Sequence, residues 1–213
     1  MSIDVKICGI NSPAALDAAV EGGAKMLGFV FFPPSPRCVT PTEAASLMAR
    51  VPDGVLKVAL MVNPDDFDVG AVCRQLPIDL IQLHGQETVE RVADIKAITG
   101  LPIMKAVGIA GAEDIARAHD FEAVCERILL DAKAPQGSAL PGGNALSFDW
   151  DLIRGETWAK PWLLAGGLNA QNLENAVKTS GAGFVHVSSG VEDAPGHKSV
   201  IKIGEFLRLA SSL

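Results

Sequence analysis

The feature that most constrains this chain is the alternation of strand-like and helix-like segments along nearly its whole length. Eight short apolar runs are typical of buried strands, and they lie at Val5–Ile10, Met26–Phe32, Val55–Val62, Leu80–Gly85, Pro102–Ile109, Arg127–Lys133, Trp162–Gly167 and Phe184–Gly190. The segments between them carry apolar residues at helical spacing, at Pro13–Glu21, Pro41–Arg50, Pro64–Gln75, Glu87–Thr99, Ala112–Ala118, Phe148–Arg154, Asn169–Thr179 and Ser199–Ala210. This alternation predicts a parallel sheet covered by helices.

Eight strand–helix units of roughly 25 residues each predict that the sheet closes into a (β/α)8 barrel. A doubly wound open sheet is the main alternative, although no G-x-G-x-x-G follows the first strand as a Rossmann fold would require. Helix boundaries are marked by Ser12, Thr40 and Asn63, each followed by proline, and by glycines at 100 and 181. No linker or low-complexity tract interrupts the pattern, so we expect residues 1–213 to form one α/β barrel domain.

Charge and cysteine content narrow the functional classes. The net charge of −7 disfavours nucleic acid and anionic membrane surfaces as partners, so an anionic small molecule would need a local positive site. No apolar run approaches the length of a membrane span and the N-terminus lacks a signal peptide's apolar core, which predicts a cytoplasmic protein. The cysteines show no metal-binding or disulfide spacing, and we expect Cys38, Cys73 and Cys125 to be packing residues.

Polar residues interrupt the predicted strands at their C-terminal ends. Buried barrel strands are usually continuous apolar runs, so this placement is unusual. In barrel enzymes the C-terminal ends of the strands carry the active site. The sequence therefore predicts a site at that rim, built from Cys8, Gln82, His84, Asp131, Lys133, His186, Ser188 and Ser189.

Two glycine-containing segments predict a phosphate site. Leu164–Asn169 ends the seventh predicted strand and Val187–Val191 ends the eighth. Loops after these two strands frequently bind phosphate through backbone N–H groups, and glycine lets the backbone approach closely. The candidate phosphate-binding residues are Gly166, Gly167, Ser188, Ser189 and Gly190.

Two further loops deserve a functional interpretation. The prolines of Gly28–Arg37 stiffen the loop after the second strand and would hold Arg37 over the barrel mouth, where its guanidinium could grip a carboxylate. A solvated surface arginine is the alternative. Ala134–Ser147 is a long irregular segment after the sixth strand, and loops of that length are often functional.

Taken together, these segments match one known family. The matching segments are Lys6–Ile10, Gly28–Arg37, Gln82–Gly85, Lys105–Gly108, Leu129–Lys133, Phe148–Trp150, Leu164–Asn169, Val187–Glu192 and Pro195–Gly196. The chain thus resembles the phosphoribosylanthranilate isomerases, barrel enzymes of tryptophan biosynthesis. The resemblance implies an Amadori rearrangement of N-(5-phosphoribosyl)anthranilate, an aminoaldose, to the corresponding aminoketose, without metal or organic cofactor. It also implies a small phosphorylated substrate as the partner and leaves a monomer or a homodimer open.

The resemblance carries roles to particular residues. It implies Cys8 as general base and Asp131 as general acid, with Arg37 on the anthranilate carboxylate. His84 and His186 are candidate substrate contacts, although the family usually has aspartate where His186 stands. Neutral histidine offers one donor and one acceptor where aspartate only accepts, so the substrate contact there is expected to differ.

Alternative interpretations of these residues stay open at this point. Cys8 could be a core residue, Asp131 could pair with Lys133 or Lys6, and His84 could be a packed histidine bonded to backbone. At the level of the whole protein, the alternatives are the histidine-pathway aminoaldose isomerase of the same fold and a non-catalytic barrel that binds a phosphometabolite. Cys8 and Arg37 argue against the first, and the presence of both Cys8 and Asp131 argues against the second.

Overall fold

The computed structural model describes residues 2–138 and 140–213, and its centre is a closed barrel of eight parallel strands. In chain order the strands β1–β8 are Asp4–Cys8, Met26–Val30, Leu56–Met61, Leu80–Leu83, Ile103–Ile109, Arg127–Ala132, Trp162–Leu164 and Phe184–Val187. Each strand pairs with the next, and β1 pairs with β8 from Asp4 opposite Phe184 to Ile7 opposite Val187. The predicted (β/α)8 barrel is confirmed, and the open-sheet alternative is wrong.

Seven helices surround the barrel and cover the outer face of its strands. In chain order α1–α7 are Pro13–Glu21, Pro41–Met48, Asp66–Gln75, Val89–Thr99, Ala112–Asp120, Leu173–Ser180 and Val200–Ser212. Each buries an apolar stripe, as α7 does with Ile203, Phe206 and Leu207. The predicted short helix at Phe148–Arg154 is a 3-10 turn over Trp150–Ile153. None of the described helices is long and apolar enough to cross a membrane.

The helix ends follow most of the predicted signals. Thr40 forms a capping box with Glu43 at the start of α2, and Gly100 ends α4 with a left-handed φ of 66°. The predicted start of α3 at Pro64 is wrong, because the helix begins at Asp66 with Asp65 as its N-cap. Asn63 instead takes a positive φ of 45° and accepts a hydrogen bond from the N–H of Gln86. Its side chain therefore braces the next loop rather than a helix.

The barrel interior is apolar at one end and polar at the other. Nearer the N-terminal ends of the strands the filling is apolar, from Met26, Val58, Leu80, Met104, Leu129 and Leu163. Lys6, Cys8 and Gln82 lie closer to the C-terminal ends and are also buried. This polarity fits a barrel whose N-terminal end supplies stability and whose C-terminal end carries function.

Several strands end earlier than predicted, and all of these shorter ends lie at the functional rim. Strand β7 ends at Leu164 rather than Gly167, because Gly166 and Gly167 take positive φ values of 88° and 59° and turn the chain away. After β8 the chain forms a small antiparallel hairpin of β9 (Glu192–Ala194) and β10 (His197–Lys198). This hairpin lies beside the mouth of the barrel and supplies two charged residues to it.

Candidate active site

The C-terminal ends of the strands converge on one open cavity. Residues 140–143 of the loop after β6 form part of its wall. The predicted site residues that line it are Cys8, Arg37, His84, His186 and Ser188. Asp131 lies just behind Gly142 of that loop, since a Cβ on Gly142 would stand 2.9 Å from Asp131 Oδ2. The structure therefore brings the predicted base, acid and carboxylate-binding residue to one place.

Cys8 is the last residue of β1 and points into the barrel. Its thiol is free and 2 % exposed, and it packs beside Val30 and Leu60. Gly9 follows with a φ of 78°, which turns the chain sharply out of the strand. The Ser188 hydroxyl donates to the carbonyl oxygen of Cys8 at 3.2 Å, which ties β1 to the loop after β8. Cys8 thus belongs to the cavity wall and not to the outer core.

Asp131, near the end of β6, is held by a short chain of hydrogen bonds. Its Oδ1 accepts from the N–H of Ala132 at 2.8 Å, and its Oδ2 lies 3.1 Å from Nε2 of His84. His84 in turn lies 3.0 Å from Gln82 Nε2 through its Nδ1. Because an amide nitrogen only donates, this arrangement leaves the Nε2 hydrogen of His84 directed at Asp131. His84 is therefore bonded to side chains, and its alternative as a backbone-satisfied packing residue is wrong.

The proposed ion pair between Asp131 and either lysine is also wrong. Lys133 points outward and its Nζ lies 2.9 Å from Asp114 Oδ1. Lys6 Nζ makes its hydrogen bond to His186 Nδ1 instead, at 3.3 Å. Lys133 therefore belongs to the helix layer, although its position after β6 predicted a place at the rim.

A buried ion pair holds the loop that carries His84. The carboxylate of Glu87 accepts from the backbone N–H groups of Gly85 at 3.0 Å and Asn63 at 2.8 Å, and it lies 2.8 Å from Lys105 Nζ. The two charged side chains are only 1 % and 3 % exposed. Lys105 also donates to the carbonyl oxygens of Leu83, Gly85 and Ala106. Glu87 thus connects the loop after β3, the loop after β4 and strand β5 itself.

Arg37 is buried at the mouth and is not a solvated surface arginine. Its Nε and Nη2 donate to the two oxygens of Glu192, each at 2.8 Å, and Lys198 Nζ lies 2.6 Å from Glu192 Oε1. Burial works to raise the pKa of Glu192, but these two cations outweigh it and hold that pKa below its usual value. Two cations share one carboxylate, so the mouth carries the local positive charge that an anionic molecule needs. The Nη1 edge of Arg37 faces Gly143 and is not engaged by Glu192.

The loops after β7 and β8 carry backbone N–H groups without a hydrogen-bond acceptor in the described residues. The N–H groups of Gly166, Gly167 and Ser189 donate to no acceptor within residues 2–138 and 140–213. At Gly190 the backbone passes so close to the Leu168 carbonyl oxygen that a Cβ would overlap it. Free N–H groups on closely packed loops are suited to an anion such as phosphate. The Ser188 side chain is engaged elsewhere, on the Cys8 carbonyl.

His186 is buried in the barrel beside the cavity. Burial, reinforced by the positive charge of Lys6, holds the pKa of His186 well below its usual value. The ring is therefore neutral at ordinary pH, and its Nδ1 accepts from Lys6.

Three residues of this rim were not among the predicted site residues: Lys6, Glu192 and Lys198. Lys6 lies on the same strand face as Cys8, and this shared face was a signal in the sequence that Lys6 could belong to the site. The sequence did not show whether a side chain so deep in the barrel would contact Cys8. Glu192 and Lys198 come from the hairpin of β9 and β10, whose position depends on barrel closure and has no local sequence signal.

The remaining cysteines lie outside the cavity lining. Cys125 is buried, and its burial raises the pKa of its thiol to about 12, so it is an unreactive packing residue as predicted. Cys38 and Cys73 are half-buried. In the part of the chain that the structure describes, no group of three or more His, Cys, Asp and Glu side chains is placed to hold a metal ion.

Fold and site together define a parallel (β/α)8 barrel with a thiol, a carboxyl and two cationic side chains at its C-terminal rim, which is the class of barrel enzymes. The family model for N-(5'phosphoribosyl)anthranilate (PRA) isomerase matches residues 5–208. The chain belongs to this family.

Individual relatives agree with the family assignment. An N-(5'-phosphoribosyl)anthranilate isomerase from Rhodospirillum centenum is 56% identical over 214 residues, which cover 100% of both chains. The crystal structure of phosphoribosyl anthranilate isomerase from Thermotoga maritima has a TM-score of 0.88 and 34% identity, covering 99% of this chain and 100% of that one. A further crystal structure of such an isomerase, in complex with reduced 1-(o-carboxyphenylamino)-1-deoxyribulose 5-phosphate, has a TM-score of 0.84 and 33% identity, with 99% and 100% coverage.

Proposed function

We propose that this chain isomerises N-(5-phosphoribosyl)anthranilate to 1-(2-carboxyphenylamino)-1-deoxyribulose 5-phosphate in tryptophan biosynthesis, with Cys8 as general base and Asp131 as general acid. The observation that carries the proposal is the placement of Cys8 and Asp131, on β1 and β6, at one cavity in a chain of this family. We further propose that residues 1–213 form a single barrel domain.

The acid step opens the sugar ring. A proton on Asp131 passes to the furanose ring oxygen, the bond from that oxygen to C1 breaks, and the nitrogen lone pair forms the C1 iminium ion. His84 donates to one oxygen of Asp131 and the Ala132 N–H to the other, so both contacts stabilise the carboxylate left after transfer.

The base step completes the isomerisation. The thiolate of Cys8 removes the proton from C2, and the electrons of that bond form a C1–C2 enamine that neutralises the iminium. Tautomerisation of this enol-amine gives the ketone at C2. These steps are proton transfers with no net oxidant or reductant, so we propose a reaction without metal or organic cofactor.

Binding groups would hold the substrate between acid and base. The free Nη1 edge of Arg37 is placed to meet the anthranilate carboxylate, and the N–H groups of Gly166, Gly167, Ser189 and Gly190 to meet the phosphate. Neutral His186 offers its remaining ring nitrogen to a sugar hydroxyl. All four cysteines are free, which supports the cytoplasm as the compartment that we propose.

Steady-state assays on freshly generated phosphoribosylanthranilate test the proposal. Cys8→Ser and Asp131→Asn should each lower kcat by about 10²–10⁴-fold, the usual contribution of a positioned acid or base, while far-UV circular dichroism stays that of a folded barrel. Cys73→Ser is the matched thiol control and should keep parent activity. Near-parent turnover in either site variant would overturn the assigned roles. Preference for the histidine-pathway aminoaldose over phosphoribosylanthranilate would overturn the substrate.

A further inference from the structure

Lys6 is a lysine buried inside the barrel that has no carboxylate partner among the described residues. Its side chain is 0 % exposed, and it sits on β1 two residues before Cys8. Within residues 2–138 and 140–213 its hydrogen bond is to a neutral group, Nδ1 of His186, and it forms no ion pair with Asp or Glu. A buried charge without a counter-ion is costly, so such a lysine needs an anion or must give up its proton.

His186 cannot supply that anion. Burial holds the pKa of His186 well below its usual value, and the positive charge of Lys6 adds to the effect. The neutral ring gives Lys6 one lone pair at 3.3 Å and no charge. An aspartate at this position would instead neutralise Lys6. The chain's own residue at 186 therefore leaves the lysine charge uncompensated.

The thiol of Cys8 is placed to take up this charge. Lys6 Nζ and Cys8 Sγ both lie 2.6 Å from the point that a Cβ on Gly28 would occupy, so they are no more than twice that distance apart. Gly28 of β2 leaves the space between them without a side chain. Burial lowers the pKa of Lys6, and the nearby Cys8 acts in the opposite direction. The Nζ atom of Lys6 and the Sγ atom of Cys8 therefore adjoin the same gap in the barrel interior.

We propose that Lys6 is a positioning residue that stabilises the thiolate form of Cys8. Because residue 186 is neutral, this thiolate is the one counter-ion that the described residues offer to Lys6. The proposal rests on the proposed role of Cys8 as base. When the pair forms from the neutral groups, the S–H bond of Cys8 breaks, its proton ends on Nζ, and thiolate and ammonium result. No oxidant or other reactant enters.

Other charged groups act on Cys8, but they are committed elsewhere. Lys198 Nζ is held by Glu192 at 2.6 Å and by the Ser188 carbonyl at 3.0 Å, and Arg37 shares the same glutamate. Across the mouth, His84 and Asp131 bond to each other. The titratable and charged groups around the thiol are thus Lys6, Arg37, His84, Asp131, His186, Glu192 and Lys198. Among the described residues, Lys6 is the lysine or arginine of this set that has no carboxylate partner, so its replacement breaks no other ion pair.

Absorbance near 240 nm measures how much of Cys8 is in the thiolate form, and its change with pH tests the pairing of that thiolate with Lys6. The chain has no tyrosine, so tyrosinate does not obscure the signal, and the difference from Cys8→Ser isolates Cys8 from the other three thiols. Lys6→Met should move the Cys8 titration to higher pH by about one unit or more, as expected when a close opposite charge is lost. The acid limb of kcat/KM should move by the same amount, and activity should recover at alkaline pH. Loss of a merely structural lysine would lower activity equally at every pH.

Substitutions at position 186 keep the test decisive if Lys6→Met does not fold. His186→Asp places a competing carboxylate beside Lys6 and should also move the Cys8 titration to higher pH. His186→Asn, the neutral control, should leave that titration where it is, whatever it does to substrate binding. The proposal is overturned if neither Lys6→Met nor His186→Asp moves the titration, or if His186→Asn moves it as far as His186→Asp. Full activity in Cys8→Ser would instead overturn the proposed function and leave the pairing result intact.

Discussion

The buried pair of Glu87 and Lys105 gives a quantitative prediction about stability. Replacing Glu87 by Gln keeps the shape of the side chain and removes its charge, so that a 3 % exposed lysine loses its counter-ion. Breaking a buried pair by removing one partner typically costs about 3–5 kcal/mol. Lys105 retains three carbonyl acceptors, which favours the lower end of that range, about 3 kcal/mol.

Thermal unfolding followed by circular dichroism measures this cost. For a chain of this length about 3 kcal/mol corresponds to a Tm decrease of roughly 6–12 °C. Glu174→Gln is the matched control, because Glu174 forms an exposed pair with Lys178 on one face of α6, and its Tm should equal that of the parent. Since Glu87 also holds the loop that carries His84, the Glu87→Gln variant should lose turnover at temperatures where it remains folded.

The pH dependence of the same variant checks the cause. Burial lowers the pKa of Lys105, and Glu87 is the main group that opposes this shift. Without Glu87 the pKa falls further, so the folded state binds fewer protons than the unfolded state over a wider alkaline range. Stability rises with pH wherever the unfolded state binds more protons, so the penalty should be smaller at about pH 9.5 than at pH 7. A Tm equal to that of the control, or a penalty that grows with pH, would refute the reasoning.

Two further predictions concern the phosphate loop and the opposite end of the barrel. Gly190→Ala forces the loop after β8 away from the Leu168 carbonyl oxygen. Loss of one charge-assisted hydrogen bond from this loop to the substrate phosphate should raise KM about tenfold or more, with little change in kcat. An unchanged KM in steady-state assays would contradict a phosphate site there. His119 contacts Glu122, and this hydrogen bond raises the pKa of His119 despite partial burial. The stabilisation that this contact gives to the folded state is therefore present in acid and is lost as the pH rises through the folded-state pKa of His119. His119→Asn should lower the free energy of unfolding, measured with urea, more at about pH 5.5 than at about pH 8.5. Equal losses at the two pH values would contradict this prediction.

The fold was predictable from the sequence because its signals are local. Apolar runs of strand length recur along the whole chain, and several helix ends are marked by a proline after a capping residue or by a glycine. The start of α3 was predicted wrongly because two possible capping residues lie within three positions of each other. Asp65 caps the helix, whereas Asn63 accepts a hydrogen bond from the N–H of Gln86 in the next loop. The end of β7 was predicted wrongly because Gly166 and Gly167 lead the chain out of the sheet, and a segment with such glycines fits a strand or a loop equally well.

The site was predictable only in part, for a different reason. Cys8, Asp131 and Arg37 fall at strand ends or in short rigid loops, so their positions follow from the barrel alone. The positions of the charged and polar groups around them do not follow from it. Glu192 reaches Arg37 from a hairpin 155 residues away in the chain, and Lys6 meets His186 across the closure between β1 and β8. Such contacts depend on the assembled ring and leave no mark in either local segment.

The pairing of β1 with β8 has a consequence for how this protein becomes functional. Some of the residues beside Cys8 come from the opposite end of the chain, such as Ser188, 180 positions away. Bringing such distant segments together carries the largest loop-closure entropy. Neighbouring strand–helix units can form while the two ends are still apart. Turnover therefore requires that the barrel has closed between β1 and β8. Helical content measures only that the individual strand–helix units have formed.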